Sequence, residues 1–468
     1  MANVAELCTK TLIEVAGLIK TKEVSPVELT QAMLERINAL DGALHSYITV
    51  TADLALEQAK AAEQEIQSGT YRGLLHGVPI AVKDLCYTTG IPTTAASPMY
   101  ADFKPDFNAT VVEKFYEAGA VMLGKLAMTE FALSGYHPSM QPPVNPWSAE
   151  HWPGASSSGS GVATAASLCF GSLGSDTGGS IRFPSAACGI VGVKPTYGKV
   201  SRYGVFPLGE TLDHVGPMTR SVADAAVILR TIAGFDPNDP TTRRETVRDY
   251  MDTVYNGAEG LQIGVDEAYC TKGVDPVVRN AVLATVQVFR DLGAEIHEVD
   301  VSQINDATPL WYAMCAAEAA AAHSETFPSR ADEYGPTFRA FLEDGVNVTG
   351  AHYVKAHVAR QYTRRLIDET LQKVDMLLCP AMATPPMAVK DFSPQAVLPP
   401  DNIPSLLAFT APMDFSGSPT VSLPCGFTDD GLPLSLQLVG RHGEEGTIMQ
   451  AAHAYEQATE WHTRQPEV

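Results

Sequence analysis

Three short stretches carry residues whose types and spacing suit chemistry. Residues 174–189 read GSDTGGSIRFPSAACG, which sets Ser180 behind Gly178 and Gly179 and ahead of Arg182. Glycines just before a serine let the backbone approach a ligand and turn several N–H groups inward. The amides of Thr177, Gly178, Gly179 and Ser180 are therefore candidate donors to a developing oxyanion, a large electrostatic contribution to acyl transfer. Taken alone, the stretch is equally a glycine-rich turn that reverses the chain. The second stretch, GVPIAVKD (77–84), reads as a strand ending on Lys83. Between Val82 and Leu85 that ammonium is partly desolvated, which lowers its pKa and makes a general base of it. A buried salt bridge with Asp84 or Asp176 is the alternative. The third stretch is PGASSSGSG (153–161), with Ser156, Ser157 and Ser158 between Gly154 and Gly159. A hydroxyl both donates and accepts, so a serine here can pass a proton from Ser180 to Lys83. The alternative is a flexible turn that caps the small-residue helix GVATAASLC.

Other patterns are set aside. GAVMLGK (119–125) begins like a phosphate-binding loop, but Leu126 stands where Ser or Thr should hold magnesium, and a helix precedes it instead of a strand. No GxSxG elbow lies near the serines. His352 and His357 are five apart on a helical run, which separates them around the helix, and no HExxH occurs. His76, His137, His151 and His214 lie in loops and read as hydrogen-bonding residues. No metal or other cofactor is implied.

The elements that must position these groups follow from period and punctuation. SPVELTQAMLERI (25–37) opens a helix, with Ser25 as cap, Pro26 in the first turn and Glu28 completing a capping box. A second helical run covers 52–67, and helix 109–118 leads into strand 120–123. Between 145 and 217 glycine, serine and proline dominate, as in loops set on a buried scaffold. After 220, a helix is followed by LQIGVDEA (261–268), helix 277–293 and AEIHEVDV (294–301), a parallel strand–helix–strand unit. Long helices are expected near 309–327 and 352–374, and MLLCPAMATPP (376–386) reads as a buried strand running into a proline loop. TVSLPCGF (420–427) and LPLSLQLVG (432–440) form a hairpin around DDG, and a last helix spans 446–460. The fold class is α/β: a single large domain with a mixed β-sheet covered by helices on both faces. Its expected parts are N-terminal helices (1–70), a core (71–230), a variable region (231–395) and a C-terminal hairpin and helix (396–468).

The chain has 468 residues and a net charge of −22 from 32 basic and 54 acidic residues. Such a chain is repelled by phosphate backbones, so no nucleic-acid partner is expected. No stretch of about 18 apolar residues argues for a membrane span, and the start reads as a helix, not a signal peptide. The eight cysteines are scattered with no CxxC pair, which suits buried free thiols in a reducing cytoplasm.

PGASSSGSG followed by GSLGSDTGGSIRFPSAACGIVGVKPTYGKVSRYGV resembles the amidase signature family of hydrolases. GVPIAVKD, GKLAMTEFALSG (124–135), DHVGPMTRSVADAA (213–226) and PCGFTDDGLPLSLQLVG (424–440) fit it too, so the resemblance runs over essentially the whole chain. It implies the amidase signature fold and a Ser–cis-Ser–Lys triad, with Ser180 as nucleophile and Lys83 as base. The bridging serine of the family lies 24 positions before the nucleophile, which selects Ser156, preceded by a cis peptide. GASSSG departs from the usual GGSSGG at Ala155 and Ser158 without touching the triad positions. Asp176 and Arg182 match family positions and are expected to support the loop. The implied activity is cleavage of a small-molecule amide, or of a related anilide, carbamate or ester, through an acyl-enzyme on Ser180. Residues 124–139 are expected to wall the pocket, with Ala132 near the scissile group and Tyr136 and His137 facing in. Residues 309–320 and 405–415 offer an apolar acyl or aryl pocket, or simply core. A homodimer is the assembly the resemblance implies. One alternative is the glutaminase subunit of a transfer-RNA amidotransferase, whose glutamine-holding aspartate aligns with Leu407. Another, of a different class, is a non-catalytic scaffold that keeps the fold.

Overall fold

A computed structural model of the protein describes residues 4–391 and 403–468. Among these residues one mixed sheet of eleven strands runs through the chain. In chain order the strands are β1 (Tyr47–Val50), β2 (Pro79–Lys83), β3 (Val121–Leu126), β4 (Ser172–Asp176), β5 (Val191–Lys194) and β6 (His214–Thr219). They continue with β7 (Gln262–Val265), β8 (Glu295–Glu298), β9 (Met376–Pro380), β10 (Thr420–Phe427) and β11 (Pro433–Gly440). In space the order is β1-β3-β2-β4-β6-β5-β10-β11-β9-β7-β8. All four expected segments thus contribute strands to one sheet; the junction expected at 395/396 lies outside the described residues.

Burial explains the strand sequences. Every residue of β2, β3, β4, β6 and β11 is buried, whereas the edge strands β1 and β8 are half-exposed. A strand covered on both faces has no polar side to alternate with, which is why β2 reads PIAVK. β2 lies between β3 and β4, parallel to both, with Val82 opposite Leu173. This pairing brings the end of β2 and the end of β4 to the same edge of the scaffold. β10 and β11 form the expected antiparallel hairpin, and β7 and β8 the expected parallel pair around a helix at Pro276–Asp291.

The helices begin where caps permit. Ser25 accepts the N–H groups of Val27 and Glu28 at 3.0 and 3.3 Å at the start of the helix Pro26–Leu44. The capping box expected of Glu28 is replaced by a bond from the Ser25 hydroxyl to Glu63 on the next helix. A helix at Pro336–Asn347 is not among the expectations, although Phe338, Phe341, Leu342 and Gly345 recur at helical spacing and are buried. All eight cysteines are buried free thiols. Among the described residues no helix is long and apolar enough to cross a membrane.

Ser25 supplies both a cap and a tie between two helices. Ser25→Ala should lower the unfolding free energy by about 1 kcal/mol, read from the urea midpoint; an unchanged midpoint would contradict the capping role.

Candidate active site

Lys83 ends β2 with its ammonium wholly buried. Its Nζ lies 2.6 Å from Ser156 Oγ, 2.9 Å from Ser157 Oγ and 2.8 Å from Ser175 Oγ. Among the described residues no carboxylate pairs with it directly; Asp84 turns instead to Lys125 at 3.2 Å. Burial pulls the Lys83 pKa down to about 7, partly offset by Asp213 and Asp176 nearby. The peptide between Ala155 and Ser156 is cis. Ser157 is committed twice over: its hydroxyl donates to the Ser175 carbonyl and accepts the Ser175 N–H, each at 3.2 Å.

Ser180 stands out by exposure. From Trp152 to Cys188 every residue is buried except Ser180, which is half-buried and borders a cavity. Its carbonyl accepts the Ser157 N–H at 3.3 Å, which ties the two loops together. Among the described residues no hydrogen bond joins the hydroxyls of Ser156 and Ser180.

The turn that presents Ser180 is held peptide by peptide. The Thr177 carbonyl accepts from Trp311 Nε1 at 2.9 Å, the Gly178 carbonyl from Thr410 Oγ1 at 2.6 Å, and the Gly179 carbonyl from the Phe183 N–H at 2.7 Å. A trans peptide is planar, so fixing each carbonyl fixes the N–H that follows it. A side chain at Gly178 would come within 2.6 Å of the Trp311 ring, and Gly179 has φ +127° with the Phe183 ring 2.5 Å from any added Cβ. The two glycines are therefore required by what packs on the turn.

Of the four amides expected as donors to an oxyanion, that of Gly179 is taken up within the turn. The Gly179 N–H donates to Asp176 Oδ1 at 2.7 Å. Gly178 and Ser180 border the cavity, and their N–H groups have no acceptor among the described residues. Thr177 also borders it, with its hydroxyl bonded to Asp213 at 2.6 Å. Burial raises the Asp213 carboxyl to about 6.

Asp176 and Arg182 brace this turn from below. Asp176 Oδ2 accepts the Ile181 N–H and Arg182 Nε, both at 3.0 Å, and Arg182 Nη2 lies 2.7 Å from Asp176 Oδ1 and 2.7 Å from Asp414 Oδ2. Burial alone would raise the Asp176 carboxyl, but the guanidinium outweighs it and holds the group well below the usual carboxylate range.

The cavity at Ser180 has a volume of about 80 Å³ and no charged side chain among its lining residues. Trp152, Phe183, Trp311, Phe341 and Leu407 supply its apolar walls. Ala132 lines it as expected, joined by Leu133 and Ser134. Tyr136 and His137, expected to face the pocket, do not line it. Phe131 and Ala132 take left-handed φ values of +46° and +64°, and the Glu130 N–H bonds to the Gly135 carbonyl. The loop folds back on itself, so residues past Gly135 leave the site. Tyr136 donates to Ser158 Oγ at 2.7 Å, and His137 Nδ1 sits 2.7 Å from Ser139 Oγ. Ser175 and Asp213 are site residues that sequence reasoning missed; both lie inside family-like stretches, but nothing in their type or spacing sets them apart there.

The Amidase family model matches residues 28–449. The chain is 44% identical over 461 residues to a Mycobacterium tuberculosis protein named "Putative amidase AmiD", covering 98% of this chain and 96% of that one. It is 39% identical over 488 residues to a glutamyl-tRNA(Gln) amidotransferase subunit of Chloroflexus aurantiacus, covering 98% and 99%. Among solved structures it is similar to the native peptide amidase of Stenotrophomonas maltophilia, with TM-score 0.83, 29% identity and 98% coverage of both chains.

Removing Arg182 would leave Asp176 and Asp414 buried without their shared cation. Arg182→Met should lower the unfolding free energy by about 3–5 kcal/mol, seen as a falling urea midpoint; a loss under about 1 kcal/mol would show that the brace is dispensable.

Proposed function

The chain belongs to the amidase signature family of amide-cleaving hydrolases, and from that premise we propose a stand-alone amidase that works through an acyl-enzyme on Ser180. One observation carries the reading: a wholly buried lysine, its pKa brought to about 7 by burial, lies against three hydroxyls, and one of those serines, Ser157, gives its N–H to the carbonyl of Ser180, the single half-buried residue of a 37-residue buried stretch.

A neutral lysine has two N–H donors and one lone pair. The Ser157 hydroxyl already gives its proton to the Ser175 carbonyl, so towards Lys83 it can only accept. The second N–H and the lone pair divide between Ser175 and Ser156. With the lone pair on Ser156, that hydroxyl gives its proton to Lys83 and takes one from Ser180. The reading requires the Ser180 hydroxyl to turn towards Ser156 when a carbonyl enters, a rotation about one single bond; such bonds tighten as substrate binds. Ser180 Oγ then adds to the carbonyl carbon, and the oxyanion is received by the N–H groups of Gly178 and Ser180. Collapse expels the amine, which takes the proton back through Ser156. Water hydrolyses the ester by the same path, releasing the carboxylic acid.

The cavity walls favour an apolar or aromatic acyl group. Among the described residues that line the cavity no charged side chain is present to pair with the ammonium and carboxylate of glutamine, and desolvating charges without an ionic partner is unfavourable. This supports the amidase reading over a glutaminase role of the kind that the names of the 39% identical relatives suggest.

Ser180→Ala should cut the kcat for aryl amides by at least about a thousandfold, with Lys83→Ala and Ser156→Ala falling similarly and the double variants losing little more. Wild-type turnover by Ser180→Ala, or rapid ammonia release from glutamine by the intact protein, would refute the assignment. The pH profile follows from the sign of the Lys83 shift. Below about 7 the amine is protonated and has no lone pair, so kcat/KM should climb as pH rises through about 7 and level off above it; a flat profile through neutrality would exclude Lys83 as the base.

A further inference from the structure

A second cavity of about 230 Å³ abuts the first and shares Ala132 and Leu208 with it. Its mouth carries the exposed residues Tyr203, Glu210 and Asn238. Its floor carries Ser175, Asp213 and His214, all buried. Ser175 is one of the three hydroxyls on Lys83, and Asp213 holds the Thr177 hydroxyl. This cavity therefore runs from the surface to the proton relay without passing through the apolar pocket.

Its wall is more polar than that of the first cavity. Arg202, Asp213, His214 and Asp239 are buried polar side chains that border it. A cavity of this size with polar side chains on its wall has room for several waters and partners to hold them.

We infer that this second cavity stores and admits the water that hydrolyses the acyl-enzyme. The inference rests on the acyl-enzyme reading above. Once Ser180 is acylated, the apolar cavity is filled by the acyl group, and water arriving from that side must cross it. The polar cavity stays open. Water from it adds its oxygen to the acyl carbonyl carbon; its proton passes to Ser156, and the Ser156 proton to Lys83. The bond from carbon to Ser180 Oγ then breaks, the relay returns a proton to Ser180, and the carboxylic acid leaves.

The test separates deacylation from acylation. Val205 and Asn238 line this cavity and not the first; Val205 is half-buried and Asn238 exposed. Val205→Trp, Asn238→Trp and the double variant narrow the mouth. Each protein is loaded with the 4-nitrophenyl ester of an apolar acid, and the nitrophenolate burst gives the acylation rate. After rapid removal of free ester, intact mass follows the decay of the acyl adduct on Ser180. The expected result is a burst within about twofold of the parent and adduct decay at least about fivefold slower in the double variant. Unchanged decay with an intact burst overturns the inference, and so does an equal fall in both rates. If the parent forms no adduct on Ser180, the acyl-enzyme reading itself fails and this inference falls with it.

Discussion

Asp176 and Arg182 lie six residues apart, both wholly buried, and their ion pair holds the turn between β4 and the following helix. Asp176 also takes the N–H groups of Gly179 and Ile181, so the residues on either side of Ser180 are fixed by one carboxylate. Arg182 extends the same brace to Asp414 and to the Thr410 carbonyl, more than 200 residues away in sequence. Thr410 returns a hydroxyl to Gly178. The turn is thus clamped between the signature core and the segment that carries Leu407 into the pocket. A buried pair of this kind contributes little net stability against an apolar replacement of equal shape, but breaking it is severe. What it contributes here is geometry: the Gly179 and Ile181 amides are taken, and those of Gly178 and Ser180 are left without an acceptor among the described residues.

Lys83 shows the opposite use of burial. Arg182 is surrounded by carboxylates and stays charged, whereas Lys83 meets three neutral hydroxyls and is pulled to about 7. Hydroxyls satisfy the amine in either protonation state, since each can donate or accept. The two cations are separated by partner chemistry, not by depth, as both are wholly buried. A fixed ion pair keeps one frame rigid while the neighbouring amine remains able to exchange a proton.

The legible parts of the molecule are those that local sequence dictates. The run PIAVK ending on a lysine, the β10–β11 hairpin around DDG and the Pro26 helix start are written in period and punctuation, and the structure has all three. The spacing of the serines was legible through family resemblance, and Ser156 and Lys83 do meet. Ser175 was not legible, because it reaches Lys83 only through the pairing of β2 with β4, and strand pairing leaves no mark in a single sequence. The exit of Tyr136 and His137 from the site depends on left-handed φ values at Phe131 and Ala132, residue types that do not signal such a turn. The Gly179 amide reads as free in the sequence, and Asp176 folds back onto it. Long-range pairing and backbone handedness account for these misses.

The two faces of the site draw on different parts of the chain. Lys83 and the hydroxyls around it come from β2, β4 and the serine loop, all within residues 79–180. Much of the apolar pocket comes from elsewhere: Trp311 and Tyr312, Thr337 and Phe341, Leu406 and Leu407. These walls stand on separate segments of the chain, and among their ties to the rest are the Trp311 indole on the Thr177 carbonyl and the Thr410 hydroxyl on the Gly178 carbonyl. Both points attach to the turn that carries Ser180. Wall residues that carry no such bond can change the shape offered to an acyl group while the turn keeps its geometry. Substitutions at Trp311 or Thr410 alter wall and turn together. Substrate preference is therefore free to vary at Leu407, Tyr312 and Phe341, and is constrained at the two residues that hold the turn's carbonyls.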